Sequence, residues 1–135
     1  MHTRAAADEF KATAESLRIT SRHDSGRVVV EIAGEVDAYT GAPLRERLVG
    51  LDLAGYHHLV IDMTAVGFMD SSGLGILVGA AKRARVNGGE VTIVGAAERI
   101  LSVLRITGLT RVFPVFSTVA ESLSPQPHRY AAHHE

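Results

Sequence analysis

The chain has 135 residues, 46% of them hydrophobic, and a formal net charge of −1 with its histidines neutral. That is apolar material for one core and one domain, and so small a charge offers no global field to recruit nucleic acid or an anionic membrane. With no cysteine there is no disulfide framework or thiolate metal site. No run of about 20 apolar residues reads as a membrane span. Met1-His2-Thr3-Arg4 lacks the apolar core of a signal peptide, so the chain reads as soluble and cytoplasmic.

Residues 1–15 are rich in Ala and charge and read as a flexible arm or short helix outside the core. Leu17 to about Arg22 alternates as a half-buried strand, His23-Asp24-Ser25-Gly26 is a turn cluster, and Val28 to Ile32 is β-branched. Together they predict a hairpin. Gly34-Glu35-Val36-Asp37 ends the second strand with two carboxylates. Thr40 is placed to cap the next helix, Pro43 falls in its first turn, and Leu44, Leu48 and Leu51 form its apolar stripe. Gly55-Tyr56-His57-His58 turns the chain back to the sheet.

Leu59 to Met63 predicts the next strand, and Leu74, Leu77, Val78 and Ala81 the apolar face of the helix after it. Asn87-Gly88-Gly89 stops that helix. Val91 to Val94 is a further strand. Ala97, Ile100, Leu101 and Leu104 mark a third helix stopped by Gly108, and Val112 to Phe116 a last strand. Ser117 or Thr118 caps a final turn through Leu123, and Pro125-Gln126-Pro127 opens a disordered tail over 125–135. Strands alternating with helices predict an α/β fold: a mixed, mostly parallel open sheet of about five strands with about four helices and an opening antiparallel hairpin, in one domain over 16–124.

The stretch Phe68-Met69-Asp70-Ser71-Ser72-Gly73-Leu74-Gly75 stands between strand exit and helix entry. Asp, Ser and Ser are the residue types that accept hydrogen bonds from the unpaired N–H groups of a helix start, so a simple cap accounts for them. The same place tolerates a phosphate, which the helix dipole stabilises by about 0.3–1 kcal/mol, so phosphorylation there would change the surface without unfolding the chain. Gly73, Gly75 and Gly79 lie inside the predicted helix, where each costs about 1 kcal/mol relative to Ala. Close approach by a visiting active site over Gly73 and Gly75, or tight packing on the sheet, notably at Gly79, would explain them.

Other chemistries fit less well. The glycine spacing is G-x-G-x-x-x-G, not the G-x-G-x-x-G of a dinucleotide site, and no acidic residue ends the strand at Val94. Ser71 lacks a G-x-S-x-G elbow, and His57 and His58 should lie at the opposite end of the sheet from it. His133-His134 is too short a ligand set for a structural metal. Glu35 and Asp37 read either as a solvated turn or as part of a site. No cofactor motif and no basic-aromatic surface for nucleic acid is present.

Gly34-Glu35-Val36-Asp37, then Thr40, then the block from Phe68 to Gly75, then Thr107-Gly108-Leu109, resemble the STAS-domain anti-sigma factor antagonists over about Leu17 to Leu123. The F-x-D-S-[ST]-G-L block carries most of the likeness. The resemblance implies a non-enzymatic partner switch. The unmodified antagonist binds an anti-sigma factor that is also a GHKL-type serine kinase, which frees the sigma factor for transcription. The kinase phosphorylates the antagonist and the complex dissociates, and a metal-dependent serine phosphatase restores it. It implies Ser71 as phosphoacceptor, with Ser72 the second choice. The implied partner-facing set is Glu35, Asp37, Thr40, Asp70, Ser71, Ser72, Gly73, Leu74 and Gly75. A STAS subunit of a transporter or signalling assembly is the alternative, and a nucleotide hydrolase a more distant one, since no acid–base pair or metal set converges.

Overall fold

Ser25 and Gly26 make the first turn, both with positive φ, 55° and 78°. Two such residues in a two-residue loop match the twist of a tight hairpin. The hairpin joins β1, Leu17–Asp24, to β2, Arg27–Val36, antiparallel from Leu17↔Gly34 to Asp24↔Arg27. His23 and Asp24 therefore belong to the strand, and the expected four-residue turn shrinks to two. The structure, a computed structural model, describes residues 17–124. The expected arm over 1–15 and tail over 125–135 lie outside them.

The remaining strands run parallel: β3, His58–Met69; β4, Glu90–Val94; and β5, Val115–Phe116. They add in chain order, giving one five-stranded sheet β1-β2-β3-β4-β5. The helices are α1, Gly41–Leu53; α2, Ser71–Val86; α3, Glu98–Ile106; and α4, Val119–Leu123. A 3-10 turn, Leu109–Arg111, follows α3. The expected mixed sheet and four helices are thus present.

Two strands differ from expectation. β3 runs six residues past Met63, because its second half pairs with β2 up to Val36↔Met69 through two register shifts. Thr64-Ala65-Val66-Gly67-Phe68 has little strand alternation of its own; the neighbouring strand holds it. β5 is only two residues long rather than five. The 3-10 turn takes the chain before it, and Phe113 is fully buried in the core instead of pairing.

The strand residues alternate between two apolar layers. On one face Ile19, Val30, Ile32, Ile61, Met63 and Ile93 pack against Leu44 and Leu48 of α1, Leu77, Ala81 and Ala84 of α2, and Ile100 and Leu104 of α3. On the other, Val29, Val60 and Val94 pack against Phe116 and, in α4, Val119 and Leu123. The larger layer fixes α2 beneath the ends of β2 and β3. That placement positions the site.

Candidate functional site

The site stands at the carboxyl ends of β2 and β3. Asp70 leaves β3 in extended conformation and caps α2: its Oδ1 accepts from Ser72 N at 2.9 Å and from Gly73 N at 3.2 Å. Its own N–H donates to Val36 O at 3.1 Å, which ties the turn to the end of β2. The capping role thus falls to Asp70 alone. Ser71, the first helical residue, is exposed, and no described hydrogen bond engages its hydroxyl. Ser72 is half-buried and its N–H is held by the cap.

The loop from β2 to α1 is the other half of the site. The Asp37 carboxylate accepts from Tyr39 N and Thr40 N, both at 2.9 Å. The Thr40 hydroxyl donates to Glu35 O at 2.8 Å and accepts from Asp37 N at 3.0 Å. Thr40 is therefore not the side-chain cap the sequence suggests. It makes no such bond to α1 and turns back to the strand end, only 1% exposed. Asp37 is correspondingly more than a solvated turn: it organises the loop. The Glu35 side chain is exposed, and its residue pairs in register with Phe68.

The backbone N–H of Thr40, with smaller help from its hydroxyl and the Tyr39 N–H, holds the Asp37 carboxyl below its ordinary value of 3.8. A lowered folded-state pKa stabilises the fold above the unfolded value and loses that contribution as pH falls through the folded one. Asp37 is therefore expected to titrate below 3.8, and the loop to loosen as it does so. A carboxyl-carbon NMR titration checks this; a midpoint at or above 3.8 would contradict the hydrogen-bond geometry.

The structure separates the three glycines. Gly73 is buried, and a Cβ there would lie 2.7 Å from Met69 Cγ and 2.8 Å from Val36 Cγ1. Tight packing on the sheet is thus the property of Gly73. At Gly79 a Cβ would meet only the Arg83 guanidinium at 3.5 Å, and at exposed Gly75 nothing within 4 Å. Of the nine residues expected to face a partner, Thr40 and Gly73 are buried and shape the surface from below. Glu35, Ser71 and Gly75 are exposed, and Asp37, Asp70, Ser72 and Leu74 half-buried.

Two aromatic residues outside the expected partner-facing set, Tyr39 and the Phe68 that opens the serine block, belong to the same end. Tyr39 is 82% exposed although its backbone is pinned by Asp37. Phe68 is 45% exposed beside Glu35. For Tyr39 the available signal was an aromatic ring inside a turn. Gly108 is left-handed, with φ 78°, and ends α3, while Thr107 Oγ1 donates to Val103 O at 2.7 Å. That block shapes a helix end.

His57 and His58 sit at the start of β3, and His57 Nδ1 lies 3.0 Å from Asp52 Oδ1. A strand of roughly 3.3 Å per residue separates them from Ser71, so they cannot serve as its base. Among the described residues no group of three His, Asp or Glu side chains could hold a metal ion, and no helix is long and apolar enough to cross a membrane.

A family model for the STAS domain matches residues 18–122. The anti-sigma-B factor antagonist of Listeria monocytogenes is 35% identical over 106 residues, covering 78% of this chain and 92% of that protein. The chain belongs to the STAS-domain anti-sigma factor antagonist family. An anti-sigma factor antagonist from Mycobacterium paratuberculosis has a solved structure with TM-score 0.68 and 26% identity, covering 92% of this chain and 99% of that one. The Bacillus cell fate determinant SpoIIAA, solved in its phosphorylated form, shares the fold at TM-score 0.65 and 20% identity, covering 78% of this chain and 96% of that one. STAS-domain antagonists of this family are regulators rather than enzymes.

Proposed function

We propose that this STAS protein binds an anti-sigma factor serine kinase of the GHKL type while Ser71 is unmodified, and so releases a sigma factor for transcription in the cytoplasm. Phosphorylation of Ser71 ends the complex, and a serine phosphatase renews it. The observation that carries the reading is the division of labour at the start of α2. Asp70 satisfies the helix, while the Ser71 hydroxyl stays exposed and uncommitted. A side chain with no task in the fold is free to be modified. Ser72 is the weaker candidate, being half-buried with its N–H held.

A phosphate at Ser71 sits at a helix N-terminus, where the dipole and unpaired N–H groups favour negative charge. The fold tolerates it, and the surface changes by roughly −1.5 to −2 charges beside Asp70. A neutral hydroxyl buries against a partner at little cost; a dianion there must be desolvated and meets any carboxylate across the contact. The added charge thus weakens the complex without refolding either molecule.

The test is intact-mass analysis with fragment mapping after incubation with the host's purified anti-sigma factor kinases and ATP. One phosphate on Ser71, absent in Ser71→Ala, is the expected result. Phosphate taken up by Ser71→Ala at the wild-type rate would move the acceptor to Ser72 or elsewhere.

A further inference from the structure

An α-helix begins with four N–H groups that no carbonyl within the helix accepts. At the start of α2 three of the four are taken. Asp70 N–H donates to Val36 O at 3.1 Å, and Ser72 N–H and Gly73 N–H donate to Asp70 Oδ1 at 2.9 and 3.2 Å. Only the N–H of Ser71 itself has no described acceptor. N–H groups at a helix start bind phosphate well, so a phosphate esterified to Ser71 would ordinarily fold back onto the Ser72 and Gly73 donors. Here a carboxylate already holds both, and it carries negative charge of its own.

The surroundings do little to draw a phosphate inward. The register Val36↔Met69 brings Asp37 level with Asp70, and Glu35 stands exposed on the other side of Val36. Both are carboxylates. Arg99, near the start of α3, sets its Nη2 on Gly67 O at 3.1 Å.

We propose that Asp70 bars the Ser71 phosphate from the start of α2, so that the group projects into solvent as a free, hydrated anion. The proposal rests on Ser71 as phosphoacceptor and adds what its neighbour does. Asp70 is a positioning residue. By capping the helix itself it keeps the phosphate facing outward, where a partner's carboxylate meets it and where a phosphatase reaches its phosphorus. There the oxygen of a water bonds to phosphorus, the P–O bond to Ser71 breaks, and Oγ takes the proton as inorganic phosphate leaves. A phosphate folded onto the helix start would be masked from both visitors.

The test uses the full chain with phosphoserine encoded at position 71, so that no kinase is needed. Phosphorus and amide NMR follow the phosphate as it titrates near pH 6, about its ordinary second pKa. In the wild-type background the Ser71 amide should follow the phosphate, and the Ser72 and Gly73 amides should not. Asp70→Ala frees those two N–H groups. Their amides should then follow the phosphate, whose pKa should fall because hydrogen bonds to the charged form favour it. Asp70→Asn keeps a capping oxygen without the charge, and its Ser72 and Gly73 amides should stay as quiet as in the wild type. The phosphate should also recover most of the melting temperature that Asp70→Ala loses, and alkaline phosphatase should release it several-fold more slowly from that variant. Should Asp70→Ala not fold, the wild type and Asp70→Asn decide the matter alone. Ser72 and Gly73 amides that track the phosphate in the wild type would overturn the proposal. So would an Arg99 guanidinium resonance that tracks it, since the phosphate would then be tethered. Neither result touches the switch itself. A Ser71 that none of the host's anti-sigma factor kinases phosphorylates would remove the switch without altering the NMR result.

Discussion

Ser71→Asp is expected to weaken binding to the proposed anti-sigma factor partner by up to about a hundredfold, while Ser71→Ala binds like wild type. The physical basis is one charge at one exposed position. At about 5 Å and an effective dielectric near 20, a like-charge pair costs roughly 3 kcal/mol, which is about a hundredfold in affinity. A single Asp carries less charge than a phosphate, so the modified protein should bind at least as weakly. Ser71→Asp should melt at or slightly above Ser71→Ala, because Asp70 and not Ser71 caps the helix and the helix dipole favours the added charge. Calorimetry and thermal melts separate these effects. Unchanged affinity for Ser71→Asp would refute the electrostatic account. A clear drop in its melting temperature would mean that the side chain supports the fold after all.

Gly73→Val should give the largest loss of stability among substitutions at the site. Its first carbon alone would stand 2.7 Å from Met69 Cγ and 2.8 Å from Val36 Cγ1, and Val36 is fully buried. Overpacking of this kind costs about 1–3 kcal/mol. The gain in helix propensity over Gly, at most about 1 kcal/mol, does not offset the upper part of that range. Gly75→Ala is the contrasting case two residues on. Nothing lies within 4 Å of its new methyl group, so propensity acts alone and stability should rise by roughly 0.5–1 kcal/mol. Urea denaturation of the pair decides the matter. A Gly73→Val protein as stable as Gly75→Ala would mean that α2 does not rest on β2 and β3 as described.

Much of this architecture was legible because local signals agreed with one another. β-branched runs, glycine stops and 3.6-residue stripes each marked an element that the packing then used. What the sequence withheld was set by neighbours far along the chain. The second half of β3 has weak alternation and exists because β2 lies beside it. Phe113 looks like strand and is instead core filler. Thr40 has the residue type of a cap, but a strand-end carbonyl, Glu35 O, claims its hydroxyl. Gly73 and Gly79 look alike in sequence; only the closeness of Val36 and Met69 tells them apart. At the site, the serine block was visible as a motif. The exposed ring of Tyr39 was not, since exposure is a property of the fold rather than of the residue.

The link from Asp70 N to Val36 O has a mechanical consequence. It locks the segment bearing Ser71 to the root of the 37–40 loop across a single strand spacing, about 4.8 Å, and Asp37 and Thr40 stiffen that loop from within. These bonds hold the two lips of the candidate site at a fixed spacing. For the partner proposed above, this chain is then the preformed side of the contact, and the larger share of any adjustment falls on the visiting molecule.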